Sequence, residues 1–144
     1  RLKDVMAPNG GDYIDVRGKT RHIYGYLKDF MFDPGVVLDK VGTLSGGQKN
    51  RLKLAKILAD PKSCLILDEP TNDLDMETLD MLEEILINYE GTLLLVSHDR
   101  DFLDQTVTKV LAFEGNGKIA ECIGGYSDYL NQKRSLSKKN DNKI

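Results

Sequence analysis

The sequence predicts an α/β fold in which helices cover a parallel sheet. Three observations predict it. Cys64-Leu65-Ile66-Leu67 is a short apolar run that stops at Asp68-Glu69. Thr92 to Val96 is a second such run, stopping at Ser97-His98-Asp99. Between the two, Leu79, Leu82, Ile85 and Leu86 recur at helical spacing. Continuous apolar runs suit strands buried on both faces, as parallel strands are. A strand–helix–strand order implies a right-handed crossover.

The remaining elements come in chain order. Residues 1–19 read as irregular, apart from a small hairpin: Tyr13-Ile14-Asp15-Val16 alternates like a strand, and Arg17-Gly18-Lys19 turns. From Thr20 the period changes. Ile23, Tyr26, Leu27, Phe30 and Met31 predict an amphipathic helix, stopped by Pro34-Gly35. Val36, Val37, Leu38 and Val41 fit a short connecting turn or helix. Leu52, Leu54, Ala55, Ile57, Leu58 and Ala59 predict a second helix, closed by Asp60-Pro61. Asp75 can cap the helix that reaches about Tyr89, and Gly91 ends it. Phe102 and Leu103 face inward from a short helix after His98. Val110–Phe113 and Ile119–Ile123 predict a hairpin across Glu114-Gly115-Asn116-Gly117. Gly124-Gly125 breaks it, and Tyr126–Lys133 begins a last helix. Residues 1–61 then form a small lobe, 62–132 the sheet-bearing core, and 133–144 a basic linker or disordered tail. That tail holds Lys133, Arg134, Lys138, Lys139 and Lys143 against Asp141 alone, with little apolar content.

Composition narrows the function. In 144 residues, 40% are hydrophobic and 30% charged, which describes a globular chain. The net charge of -3 gives the molecule as a whole no attraction to nucleic acid, so any such attraction is local. Apolar runs such as Leu93–Val96 are far too short to span a bilayer. Cys64 and Cys122 sit in apolar runs without metal-ligand spacing, and are expected reduced and buried in a cytoplasmic protein. The chain starts at Arg1 rather than Met, as a fragment or a processed product would.

Three local patterns carry chemistry. An apolar strand ending in Asp68-Glu69 sets two carboxylates at the carboxyl edge of a sheet, where open α/β folds bind ligands. An Asp there can hold a magnesium ion and a Glu can orient or deprotonate water; a solvated acidic turn is the plainer reading. His98, at the end of the next strand, can contact a terminal phosphate or serve structure alone. In Leu44-Ser45-Gly46-Gly47-Gln48 a capping box accounts for Ser45 and Gln48. It does not account for paired glycines in a first helical turn, which weaken a helix. Glycines there let backbone N–H groups approach an anion at the positive helix end, and phosphate is the natural guest.

Taken together, in this order and at these separations, the patterns resemble the ABC ATPases. Leu44–Gln48 resembles their signature motif, Leu65–Asp68 their Walker B strand, Glu69 their catalytic glutamate, Leu74-Asp75 their D-loop and His98 their switch histidine. The match spans at least residues 40–113. Glu69-Pro70-Thr71-Asn72-Asp73-Leu74-Asp75 with Ser97-His98-Asp99-Arg100 is similar to the ABC-F branch, whose members carry two cassettes and no membrane domain. Arg21–Leu27, Phe113–Gly117 and Gly124-Gly125-Tyr126 are similar to the second cassette of the Uup group. The resemblance implies part of a P-loop NTPase (RecA-like) parallel sheet joined to part of the ABC helical subdomain. It implies ATP and Mg2+ as cofactors, with Asp68 on the metal and Glu69 and His98 catalytic. Leu44, Ser45, Gly46, Gly47 and Gln48 would face a nucleotide held by a second cassette. The implied target is the ribosome, with nucleic-acid contact in the Uup group.

One expected part is not in this sequence. No G-x-x-x-x-G-K-[S/T] occurs in the 144 residues, so the lysine and backbone cradle for the β- and γ-phosphates are not among them. No candidate for the family's Q-loop precedes Thr20. The expectation is a cassette active in a two-cassette protein and inactive as these residues alone, with open sheet edges and apolar surface that favour self-association. The alternative is the nucleotide-binding subunit of a membrane transporter, which needs a Q-loop groove for its membrane partner.

Overall fold

The computed structural model describes residues 1–60 and 64–141. Pro61, the expected helix stop, and Lys143 of the basic tail lie outside the described residues. The chain divides into two compact units, one of Arg1–Leu65 with Leu74–Leu82, the other of Ile66–Asp73 with the residues from Glu83 onward.

The first unit opens with a five-residue helix, α1 (Leu2–Met6), where the sequence reading expects irregular chain. Leu2 is fully buried, and its N–H donates to the Asp39 carbonyl at 3.0 Å; one apolar anchor and one long-range bond hold a segment too short to show a period. The hairpin is present as β1 (Tyr13–Val16) and β2 (Lys19–His22). Arg17 and Gly18 both take positive φ, 53° and 83°, as two-residue hairpin turns require. β2 displaces the start of the expected helix. The ladder pairs Tyr13 with His22, so the chain stays extended through Thr20, Arg21 and His22. Helix α2 (Ile23–Lys28) begins only where His22 accepts the Tyr24 N–H.

α2 ends before the proline. Phe32 N–H donates to Leu27 O at 3.1 Å and Met31 N–H to Lys28 O at 3.0 Å, with Met31 at φ 62°, a Schellman closure without glycine. Pro34 starts a 3-10 turn, Pro34–Leu38, rather than stopping the helix. Ile23, Leu27, Phe30, Phe32 and Val37 form the core of this unit. Against it lies α3 (Gly46–Ala59), burying Leu52, Ala55 and Leu58. The Tyr26 hydroxyl donates to Ala55 O at 2.6 Å, and burial pushes that phenol's pKa up.

Among the described residues, the second unit holds two two-stranded sheets, apart from the first residues of one strand, together with two helices and the second half of a third. β3 (Cys64–Asp68) pairs with β4 (Thr92–Val96), and α4 (Met76–Ile87) connects them. β5 (Lys109–Gly115) and β6 (Lys118–Ile123) form the expected hairpin, turned by Asn116-Gly117 at positive φ. Between β4 and β5 lies α5 (Arg100–Thr106), with Phe102 fully buried. The strands are not buried on both faces as their apolar runs suggest. Leu65 and Leu67 are buried while Ile66 is 65% exposed; Leu94, Val96, Leu111, Phe113, Ile119 and Ile123 are exposed as well. Successive side chains alternate faces, and among the described residues only one face of each sheet is covered. Cys64, expected buried, is exposed for the same reason, while Cys122 is buried.

The tail also differs from expectation: α6 runs from Tyr126 to Asp141 as one helix. Glu114 on β5 fastens it, accepting from Tyr129 Oη at 2.7 Å and pairing with Lys133 Nζ at 3.2 Å. Lys118 completes the cluster at 3.2 Å. A low apolar content reads as disorder, but a helix needs only one anchored turn to propagate. The three donors hold the Glu114 carboxyl at about 2, well below its ordinary range, with the Tyr129 hydrogen bond the largest cause. The clasp is therefore complete above the ordinary carboxyl range and is lost as pH falls from about 4.5 toward 2. Amide protection at residues 127–136, taken relative to the intrinsic exchange rate at each pH, is expected to fall over that window, and to be low at neutral pH in Glu114→Gln.

Where α6 begins, the reason for Gly124-Gly125 becomes visible. Gly124 has φ 111°, and a Cβ at Gly125 would lie 2.9 Å from the Asp104 Cα on α5. Gly125→Ala is expected to destabilise the protein by about 1–3 kcal/mol, the usual cost of overpacking a fitted contact, read as a lower denaturation midpoint.

Candidate functional site

In the second unit the chain leaves β3 at Asp68 and turns sharply. Glu69 adopts φ 46°, a left-handed conformation uncommon outside glycine and often found at functional positions. The turn is held from both sides. Glu69 N–H donates to Val96 O on β4 at 2.7 Å, and Glu69 O accepts from Asn72 N–H at 3.2 Å. The carboxylate then meets the end of β4: Oε2 accepts the His98 N–H at 3.3 Å, and Oε1 stands 3.4 Å from His98 Nε2. Glu69 and His98, named from separate patterns, are thus side by side. They are differently placed toward solvent: the Glu69 side chain is 23% exposed and the His98 side chain 98%. Glu69 Oε1 is itself buried and makes no hydrogen bond. It is close enough to His98 for a charge pair if the imidazole is protonated, yet it keeps its lone pairs free.

Asp68 is exposed at the strand end beside Glu69. Among the described residues no group of three or more His, Cys, Asp or Glu forms a metal cage. Magnesium in phosphate sites needs no such cage: one or two carboxylates suffice, and phosphate and water complete the shell. Asp68, exposed at the carboxyl end of β3, fits such an ion as one of those carboxylates.

The first unit carries the other named residues. Ser45 Oγ accepts the Gln48 N–H at 3.2 Å, and Gln48 Oε1 accepts the Ser45 N–H at 2.9 Å. The capping box is therefore formed, and Leu44 is buried beneath it. The glycines have no such internal purpose. A Cβ at Gly46 would meet nothing within 4 Å, and one at Gly47 would only graze Arg51 Nη1 at 4.0 Å. Packing does not require glycine at either position, so the open first turn of α3 is left available to an external group. Asp75 of the Leu74-Asp75 pair caps α4, accepting the Thr78 N–H at 2.8 Å. The hydrogen bonds from Thr78 hold its carboxyl below the ordinary range.

Sequence reasoning missed Arg51 and Thr78. Thr78 is buried, and Arg51 Nη1 donates to its hydroxyl at 3.4 Å while the guanidinium lies over the Phe32 ring at 5.7 Å. This ties the helix that begins at Gly46 to the helix that Asp75 caps. A buried threonine on an otherwise apolar helix face is the signal that could have found it. Asp104 was missed too, for want of any local pattern.

The ABC transporter family model matches residues 16–72. The chain is 54% identical over 131 residues to the ATP-binding protein Uup of Escherichia coli (strain K12), covering 91% of this chain and 20% of that protein. It is 40% identical over 126 residues to the energy-dependent translational throttle protein EttA of Haemophilus influenzae (strain ATCC 51907 / DSM 11121 / KW20 / Rd), covering 88% of this chain and 23% of that one. The chain therefore spans between 20% and 23% of the length of these two relatives. Among solved structures, RNase-L Inhibitor superposes with a TM-score of 0.65 at 21% identity, over 94% of this chain and 27% of that chain. That likeness concerns the fold.

Proposed function

The chain belongs to the ABC ATPases, in their Uup-like ABC-F branch, and from that premise we propose that it supplies the water-activating edge and the signature turn of a two-cassette ATPase. The observation that carries this is Glu69, held at φ 46° by the Val96 carbonyl with one carboxylate oxygen unengaged, 3.4 Å from His98. Glu69 is the general base: its free oxygen takes the proton of the attacking water. His98, open to solvent, contacts the terminal phosphate and aligns that water. Asp68 holds Mg2+, which when bound neutralises phosphate charge. The α3 N-terminus, with Ser45, Gly46 and Gly47, turns its N–H groups toward the phosphates of a nucleotide carried by a second cassette. Asp75 shapes the D-loop between the two.

The relative named a translational throttle supports the ribosome as the target of the whole protein. No helix among the described residues is long and apolar enough to cross a membrane, which accords with a cytoplasmic ABC-F protein. The test of the site is steady-state phosphate release by the complete protein, wild type against Glu69→Gln. The same assay on these 144 residues alone is expected to give no turnover, because the phosphate-gripping G-x-x-x-x-G-K-[S/T] loop is not among them. Phosphate release by the isolated chain that disappears in Glu69→Gln would overturn this.

A further inference from the structure

We infer that α6 is a structural support of the Glu69–His98 pair, and that Asp104 is a positioning residue through which it acts. The inference rests on the reading of that pair as the hydrolytic site. The His98 side chain is 98% exposed, so no packing fixes its ring. Its place is set by the backbone on either side. On one side is β4, whose Val96 carbonyl is bonded to Glu69. On the other, Asp99 leads directly into α5 and caps it, accepting the Phe102 N–H at 3.0 Å.

α5 has seven residues, too few for a helix to persist by its own propensity. Tertiary contacts must hold it, and the buried Phe102 is one of them. Others come from the first turn of α6. Asp104 Oδ1 accepts the Ser127 N–H at 2.9 Å, and Oδ2 accepts the Ser127 hydroxyl at 2.5 Å. The Arg100 guanidinium lies 5.0 Å from the centre of the Tyr126 ring. Gly125 lets the two backbones approach, since a Cβ there would strike the Asp104 main chain. α5 is thus tied at its first residue, next to the His98-Asp99 turn, and again one turn later. α6 is itself anchored at Tyr129 and Lys133 to Glu114. A continuous line of packed and hydrogen-bonded groups therefore runs from β5 through α6 and α5 to the switch position. His98 Nε2 and Glu69 Oε1 are 3.4 Å apart, a separation at which a small displacement of α5 removes the contact.

The test uses the complete protein in four forms: wild type, Asp104→Ala, Asp104→Asn and Ser127→Ala, with Glu69→Gln as the inactive reference. Steady-state ATP hydrolysis and amide hydrogen exchange at residues 99–106 are both measured. Asp104→Ala is expected to lower kcat by about tenfold with KM for ATP within about twofold, as misplacement of a reacting group does. Its α5 amides are expected to exchange at least about tenfold faster, reflecting local opening. Asp104→Asn, which keeps an acceptor oxygen, is expected to recover most of both. Ser127→Ala, which deletes only a hydroxyl, covers the case in which Asp104→Ala does not fold, and is expected to shift both in the same direction by less. Wild-type kcat in Asp104→Ala, in a protein that Glu69→Gln inactivates, overturns the support role, as does unaltered exchange in α5. If the wild-type protein hydrolyses no ATP, the hydrolytic reading of the pair fails, and the exchange data alone decide whether α6 holds α5.

Discussion

Glu69→Gln in the complete protein is expected to slow ATP hydrolysis by about 10²–10⁴, the usual worth of a positioned general base. The substitution is nearly isosteric. It keeps an oxygen that can accept the His98 N–H, now at 3.3 Å from Oε2, and the backbone bond to Val96 is untouched. What it removes is the basicity of Oε1, the buried oxygen with no hydrogen-bond partner. Nucleotide binding is therefore expected to persist, and the ATP-bound pair of cassettes to accumulate. Turnover equal to wild type would show that Glu69 is not the base.

The second large effect is expected at the α3 N-terminus. Gly46→Asp places a Cβ where nothing lies within 4 Å, so no steric penalty arises. A carboxylate in a first helical turn favours the helix by about 0.3–1 kcal/mol. The folded chain is therefore expected to keep or slightly raise its denaturation midpoint. ATP-dependent closure and hydrolysis in the complete protein are expected to collapse by more than about a hundredfold, since like charges brought together at an interface cost several kcal/mol. Loss of activity with unchanged stability separates a phosphate-facing turn from a capping motif. A variant that hydrolyses ATP normally would leave Ser45 and Gln48 as a helix cap and nothing more.

Much of the site was legible because it is written in short windows. Ser45 and Gln48 stand three apart, and their capping box is formed as their spacing predicts. Asp75 likewise caps the helix it precedes. The hairpin turns at Arg17-Gly18 and Asn116-Gly117 show the positive φ that their residues suit. Reading went astray where a longer-range contact outweighed the window. Thr20, Arg21 and His22 adjoin the helical period that runs from Ile23 to Met31, yet pairing with β1 holds them extended. The apolar run from Cys64 to Leu67 suggests burial on both faces, yet Ile66 is exposed. Residues 133–141 look too polar to fold, yet Glu114 anchors them as helix.

By itself, then, the sequence determined which chemical groups are present and which local elements carry them: a carboxylate pair ending a strand, a histidine ending the next, and two glycines opening a helix. Caps, turns and periodicities act between residues a few positions apart, so their energetics are contained in the string. Only the tertiary structure decided that Glu69 and His98, 29 residues apart, meet. It also decided that Gly125 must be glycine to admit Asp104, and that α5 depends on α6. Those outcomes depend on where the chain returns after leaving a strand. Such contacts draw their stability from burying side chains together, against the entropic cost of closing the loop between them, and no short window of sequence contains both partners.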